Sequence, residues 1–147
     1  MAEQKIALVT GASRGIGKAI AEELGRAGMT LVGTATSDNG ADAISTHFAE
    51  MGIVGRGMKL DVSDGTSVEE VVKAIGEEFG AVTVLVNNAG ITRDNLLMRM
   101  KAEEWDSVIN TNLSSLYRVA KACLRPMTKA RTGRIINIAS VVGTSGN

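Results

Sequence analysis

A chain of 147 residues, 44% of them hydrophobic, is long enough to form one domain around a substantial core. Its 16 Lys and Arg residues balance 16 Asp and Glu residues, which disfavours general binding to nucleic acid or to a membrane surface. No apolar stretch reaches the roughly 18 residues of a membrane span, and the N-terminal residues do not have the pattern of a signal peptide. The single cysteine, Cys123, excludes an internal disulfide. We therefore expect a soluble cytoplasmic protein.

Short apolar runs alternate with longer amphipathic segments along the chain. The runs predict five strands, at residues 5–10, 30–35, 53–60, 82–87 and 134–140. The segments between them predict helices at residues 16–27, 41–51, 67–79 and 103–130. Because strands and helices alternate, we predict an α/β fold with a doubly wound parallel sheet of Rossmann type and strand order 3-2-1-4-5.

Residues near the helix ends support these boundaries. The stretch "SDNG" precedes the second helix, and Asp64 and Ser67 are both candidate N-caps of the third. Pro126 is expected to kink or shorten the fourth helix. Glycines follow three predicted helix ends, where a left-handed residue is favoured: Gly28, Gly52 and Gly80.

The stretch "TGASRGIG" (10–17) lies directly between the first strand and the first helix. Its glycines allow a tight turn, and the positive end of the following helix suits a pyrophosphate. The alternative is that the glycines only permit the turn, but their place after the first buried strand favours nucleotide binding. The predicted cofactor-binding residues here are Gly11, Ala12, Ser13, Arg14, Gly15, Ile16 and Gly17.

The end of the second strand bears on the choice of nucleotide. A site for NAD usually has an acid there, about 20 residues past the glycines, to bind the ribose 2′-hydroxyl. Here the residues are Ala35, Thr36 and Ser37, and Asp38 is expected in the loop. Arg14 with nearby hydroxyls suits a 2′-phosphate, which favours NADPH. The alternative for Arg14 is a solvated loop charge.

Two residues follow the third strand, Asp61 and Val62. By position they reach the adenine of a bound dinucleotide, since ligands of such sheets lie beyond the carboxyl ends of the strands. The alternative for Asp61 is a simple turn residue.

Three motifs together, "TGASRGIG", "LDV" (60–62) and "NNAG" (87–90), resemble those of the short-chain dehydrogenase/reductase family. The stretches "NNAGITRDNLLMRM" and "GRIINIASVVG" are most similar to family members that act on 3-oxoacyl chains. The resemblance implies NADPH-dependent reduction of a 3-oxoacyl chain on acyl-carrier protein, in fatty-acid synthesis, by a homotetramer. Another short-chain reductase, for instance of 3-oxoacyl-CoA, is the alternative.

The resemblance also assigns individual residues. It implies that Thr36 joins Arg14 at the 2′-phosphate, that Asn87 supports the sheet, and that Asn112 and Ser140 are catalytic. Asn88, Ala89 and Gly90 are implied to lie along the ribose and nicotinamide. Arg131, assisted by Lys129, is implied to dock the carrier protein; the alternative is an ordinary charged helix end.

Members of the resembled family use a Tyr-x-x-x-Lys pair beyond the position of Ser140, and the sequence stops before such a pair. We therefore expect residues 1–147 to be a single dinucleotide-binding domain, part of a longer reductase whose C-terminal strands are missing, and catalytically inactive alone. Tyr117 and Lys121 copy the spacing but are expected to pack or face solvent. His47 is expected at the surface without a partner acid, Cys123 in the core, and no metal site is predicted.

Overall fold

The computed structural model describes residues 4–88 and 101–138. The strands in these residues are β1 (Ile6–Val9), β2 (Thr30–Ala35), β3 (Gly55–Lys59), β4 (Val84–Asn87) and β5 (Arg134–Asn137). The helices are α1 (Gly15–Arg26), α2 (Asp38–Met51), α3 (Gly65–Glu78) and α4 (Ala102–Ala130).

The five strands form one parallel sheet in the order β3-β2-β1-β4-β5, which confirms the predicted fold. At its centre, Leu8 of β1 pairs with Val32 of β2 on one side and Leu85 of β4 on the other. The chain adds β2 and β3 outward from β1, then returns to place β4 on the opposite side. This reversal leaves a crevice beyond the carboxyl ends of β1 and β4, where open α/β sheets bind ligands.

Helices cover both faces of the sheet, and each face has its own apolar cluster. On one face α1 and α2 supply Ala21, Ile44 and Phe48, which pack with Val9 and Leu31. On the other face α3 and α4 contribute Val68, Val71, Ile75, Val119, Cys123 and Met127. Both faces of the central strands are therefore buried, as their continuous apolar runs predict.

Several helix boundaries differ from the sequence expectation. The second helix begins at Asp38 rather than residue 41, because Ser37 is its N-cap and accepts a hydrogen bond from the Gly40 N–H at 3.0 Å. The third begins at Gly65, capped by Asp64. The fourth continues past Pro126 to Ala130, so the proline does not shorten it.

The glycines predicted after helix ends all have positive φ: 93° at Gly28, 71° at Gly52 and 123° at Gly80. Each therefore allows the chain to leave its helix in a direction that a side chain would oppose.

The two outer strands of the described sheet differ in character. On β3, Arg56 Nε donates to Glu78 Oε2 of α3 at 2.8 Å, which places charge at that edge. On β5, Ile135 and Ile136 are 37% and 47% exposed. This outer strand of the described sheet is therefore apolar where β3 is charged.

Candidate functional site

The glycine-rich turn folds back onto the helix that follows it. Gly11 and Gly15 have φ values of 65° and 61°, a left-handed conformation that favours glycine. A Cβ added to Gly17 would lie 2.1 Å from the Gly11 carbonyl oxygen and 2.5 Å from Asn88 Nδ2. Gly17 is therefore required by the close approach of the turn to the first turn of α1.

The neighbouring strands hold this turn from both sides. From β2, the Thr34 carbonyl accepts from the Ala12 N–H at 2.9 Å, and Thr34 Oγ1 accepts from the Gly11 N–H at 3.3 Å. From the end of β4, Asn88 Nδ2 donates to the Gly11 carbonyl at 3.0 Å, and the Asn88 N–H donates to Thr10 Oγ1 at 2.9 Å. The turn is thus fixed at the crevice where the strand order reverses.

The amino end of α1 is open to solvent. Its first turn, which lies entirely within the described residues, contains no acidic side chain, and Arg14 occupies the N-cap in an extended conformation. Residues 13–16 are exposed, and Ile16 is 61% exposed. The first amides of a helix have no intrahelical acceptor and carry its positive dipole end. These residues therefore fit a phosphate group at the helix terminus, with an apolar side chain beside it.

The residues after β2 are arranged differently from the sequence expectation. Thr36 and Ser37 are exposed, but Ser37 Oγ is used to cap α2. Asp38, which was expected in the loop, is the first residue of α2. It lines a cleft of about 340 Å³ with Asp42 and Arg56 beside β3. Asp38, the acid nearest the end of β2, therefore lies on α2 beside the β3 edge of the sheet.

Asp61 organises the turn between β3 and α3. Its Oδ1 accepts from the Ser63 N–H and the Ser63 hydroxyl, and its own N–H donates to Ser67 Oγ at 3.2 Å. These two Ser63 hydrogen bonds, with a smaller contribution from the nearby Arg118 charge, lower the pKa of Asp61. An ionised carboxylate only accepts hydrogen bonds, which suits an exocyclic amine.

Arg118 of α4 contacts the same turn. Its Nη1 donates to the Val62 carbonyl at 2.8 Å, joining residues separated by 56 positions. A cleft of about 260 Å³ lies beside this contact, lined by Ser63, Asn110, Thr111, Ser114 and Arg118. Nothing in the sequence pattern pointed to Arg118, since its partner is a backbone atom distant along the chain.

The predicted catalytic residues are placed only in part. Asn112 is half-buried on α4, next to the cleft-lining Thr111. Ser140 lies outside the described residues, as do Ala89 and Gly90. Asn87, expected to support the sheet, is buried and donates from Nδ2 to Asn137 Oδ1 across β4 and β5 at 3.0 Å.

The residues predicted to dock a carrier lie at the far end of α4. This helix has 29 residues, about 43 Å, and runs from the carboxyl end of β4 to the amino end of β5. Lys129 and Arg131 are exposed there, and Arg131 caps the helix with φ 58°. The fold therefore does not bring these two residues together with the nucleotide-binding turn.

Three other candidates lie apart from the crevice. Tyr117 is 66% exposed on α4, and Lys121 Nζ lies 5.8 Å from the centroid of its ring. Of the two expected arrangements, packing or facing solvent, the pair has the second. Cys123 is buried as expected, and burial raises its pKa to about 12.

His47 was expected to lack a partner acid, and this is wrong. Its Nε2 lies 2.7 Å from Glu22 Oε1, linking α2 to α1. The hydrogen bond with His47 is the main cause that lowers the pKa of Glu22. The pair is a contact between helices that are separated along the chain, which is why the sequence gives no sign of it.

The described residues contain neither a cluster of metal ligands nor a membrane-spanning helix. Within residues 4–88 and 101–138, no group of three or more His, Cys, Asp or Glu side chains could hold a metal ion. In the same part of the chain, no helix combines the length and hydropathy of a membrane span.

Comparison with known proteins gives a consistent result. A family model described as short chain dehydrogenase matches residues 5–147. The chain is 62% identical over 145 residues to the 3-oxoacyl-[acyl-carrier-protein] reductase FabG of Escherichia coli (strain K12) and 61% identical over 145 residues to that of Vibrio harveyi. It is 60% identical over 143 residues to that of Pseudomonas aeruginosa. These alignments cover 99%, 99% and 97% of the chain but 58% of each relative, so the chain spans little more than half their length.

Proposed function

Because the chain belongs to the short-chain dehydrogenase family, we propose that the complete protein is an NADPH-dependent oxidoreductase that reduces 3-oxoacyl chains on acyl-carrier protein. The names of its relatives suggest the substrate. One structural observation supports the assignment of a dinucleotide cofactor. The glycine-rich turn is fixed against β2 and β4, and the open positive end of α1 lies at the crevice. Family membership and this turn together imply a nicotinamide dinucleotide.

The turn supplies the pyrophosphate site. Residues 13–17 place backbone N–H groups at the amino end of α1. Gly11 has no side chain and Ala12 and Ser13 have short ones, which lets phosphate oxygens approach the backbone. Ile16 lies at the mouth of the crevice and would lose exposed apolar surface against the bound dinucleotide.

Arg14 and Thr36 are the proposed determinants of NADPH over NADH. A guanidinium and a hydroxyl suit a 2′-phosphate, which an acid at the end of β2 would repel. Thr36 and Ser37 occupy that end, and Asp38 lines a cleft beside β3. This arrangement favours the phosphorylated dinucleotide.

The adenine is proposed to lie against the turn after β3. The ionised Asp61 carboxylate can accept from the exocyclic amine of adenine, and the Val62 backbone can bind the ring edge. On the other side of the glycine-rich turn, Asn88 with Ala89 and Gly90 would contact the ribose and nicotinamide.

A nicotinamide held at this crevice would supply a hydride to the ketone carbon of the substrate. The protein must then stabilise negative charge on the ketone oxygen and provide a proton. We assign the hydrogen bond to that oxygen to the Ser140 hydroxyl. We assign the ordering of a proton-relay water to the Asn112 amide, which is half-buried on α4.

The proposed partners are an acyl-carrier protein and further copies of this chain. Leu113, Tyr117 and Leu124 are 58%, 66% and 50% exposed along one side of α4, an apolar stripe that suits a homotetramer contact. Lys129 and Arg131 are exposed at the end of α4 and are the proposed docking residues for the acidic carrier protein.

The test is steady-state oxidation of NADPH by the full-length protein with acetoacetyl-carrier protein, with acetoacetyl-CoA, and with NADH in place of NADPH. We expect higher kcat/KM for the carrier thioester and for NADPH. Arg14→Gln should raise the KM for NADPH about 10- to 100-fold and change that for NADH little, because it removes a charged hydrogen bond. Arg26→Gln, on the last turn of the same helix and paired with Glu23 at the surface, is the control. Equal rates with both thioesters would indicate a reductase of 3-oxoacyl-CoA, and no turnover would overturn the proposal.

A further inference from the structure

Arg118 connects the long helix α4 to the turn after β3. The Val62 carbonyl accepts from its Nη1 at 2.8 Å, and the side chain is partly buried between the two elements. A Cβ built on Gly65 would lie 3.5 Å from Arg118 Cδ and 3.8 Å from Nε, which is ordinary van der Waals contact. The arginine stem therefore packs on the first residue of α3 while its guanidinium holds the turn before it.

The turn has hydrogen bonds of its own. Its internal hydrogen bonds run between Asp61, Ser63 and Ser67, and Asp64 bonds Thr66 to cap α3. These bonds fix the shape of the turn but not its position relative to α4. The Val62 side chain packs against the apolar cluster that includes Val68 of α3 and Val119 of α4. Arg118 adds a polar contact that ties the backbone of the turn to α4.

We propose that Arg118 is a positioning residue for the adenine end of the dinucleotide: it holds the Val62 carbonyl, and with it the Asp61 carboxylate, in the place where the adenine binds. This inference rests on the proposed function. Arg118 acts through the turn and not on the reacting atoms. Its loss should therefore weaken binding of the adenosine half of the cofactor and leave binding of the nicotinamide half unaffected. A preorganised contact surface lowers the cost of ordering on binding.

Two probes separate the halves of the cofactor in the full-length protein. Adenosine 2′,5′-bisphosphate contains the adenine and the 2′-phosphate, whereas reduced nicotinamide mononucleotide contains neither. Arg118→Met keeps a stem that can pack on Gly65 but removes the donor to Val62. Arg118→Lys restores one charged donor. Arg125→Met, an exposed arginine two turns later on the same helix, makes the same change of charge and is the matched control.

Isothermal titration should show Arg118→Met binding adenosine 2′,5′-bisphosphate about 2- to 30-fold more weakly, the range seen for residues that couple to a site without touching its ligand. Binding of reduced nicotinamide mononucleotide should be unchanged, Arg118→Lys should recover most of the loss, and Arg125→Met should bind as the unmodified protein does. Thermal unfolding of each variant reports whether the fold is retained.

Three results would overturn the inference: unchanged bisphosphate binding by Arg118→Met, equal weakening for both probes, or an equal effect of Arg125→Met. A different result would refute the proposed function and not only the role of Arg118. If the unmodified protein failed to bind adenosine 2′,5′-bisphosphate, the nucleotide site itself would be refuted, and the role of Arg118 with it.

Discussion

Two helical glycines in this chain should respond in opposite ways to the same substitution. Gly17 lies in the first turn of α1, where an added Cβ would meet the Gly11 carbonyl oxygen at 2.1 Å and Asn88 Nδ2 at 2.5 Å. Gly76 lies inside α3, and a Cβ there meets nothing within 4 Å. Alanine at each position therefore tests the packing of the turn while keeping the change in helix propensity the same.

The magnitudes follow from three contributions. Replacing glycine by alanine inside a helix stabilises it by about 0.5–1 kcal/mol. At Gly76 this is the whole effect, so Gly76→Ala should raise the free energy of unfolding by that amount. At Gly17 the overlap with backbone costs about 1–3 kcal/mol, and losing the Asn88–Gly11 hydrogen bond costs about 1 kcal/mol more. Gly17→Ala should therefore lower the free energy of unfolding by about 1–3 kcal/mol.

Urea unfolding followed by circular dichroism measures both changes, and titration with adenosine 2′,5′-bisphosphate shows whether the displaced turn still binds phosphate. We expect Gly17→Ala to bind the bisphosphate at least tenfold more weakly, because the turn must move to relieve the overlap and its amides then no longer fit the phosphate. Gly76→Ala should bind normally. If Gly17→Ala were as stable as the unmodified protein and bound the bisphosphate equally well, the close approach of turn and helix would not be required.

Three further predictions concern other parts of the chain. Arg131→Gly should raise the free energy of unfolding by about 0.5–1 kcal/mol, because glycine takes the left-handed φ of 58° without strain; it should also lower kcat/KM for a carrier thioester but not for a CoA thioester, and a parallel loss with both would refute carrier docking there. Cys123, with a pKa raised to about 12 by burial, should resist a thiol reagent at pH 8 until the protein is unfolded; rapid labelling of the native protein would contradict this. Glu22→Gln should destabilise the protein at neutral pH, and the difference should vanish as the pH falls below 4.5 through the lowered native pKa, because protonated Glu22 no longer favours the His47 contact. Urea unfolding of both proteins across that range checks it, and a difference independent of pH would count against the pair.

The sheet could be predicted from the sequence because its strands are buried on both faces. Continuous apolar runs such as the one around Leu8, alternating with amphipathic helices, favour a parallel, helix-covered sheet. Right-handed connections then fix the face on which each helix lies. The glycine-rich turn could be found for a similar reason, since its glycines occupy backbone conformations that few other residues adopt. In both cases the physical cause lies within a few consecutive residues.

Contacts between distant residues could not be found in this way. Arg118 binds a backbone carbonyl, so its partner has no side-chain signature. His47 meets Glu22 only because α1 and α2 pack on the same face. Thr34 did leave a signal that could have been used: a polar residue in a strand buried on both faces needs a hydrogen-bond partner, and here the partners are the amides of the turn.

The two faces of the sheet support different parts of the proposed dinucleotide site. The turn at Gly11 lies against β2 through Thr34 and is followed by α1, which packs on the same face as α2. The turn at Val62, which is proposed to bind the adenine, is held by Arg118 from α4, on the opposite face. The faces meet where Asn88, at the end of β4, bonds Thr10 and Gly11 across the strand reversal. It follows that substitutions on the first face should act mainly on phosphate binding and those on the second mainly on adenine binding. A change at Asn88 should affect both, because this residue belongs to the crevice between them.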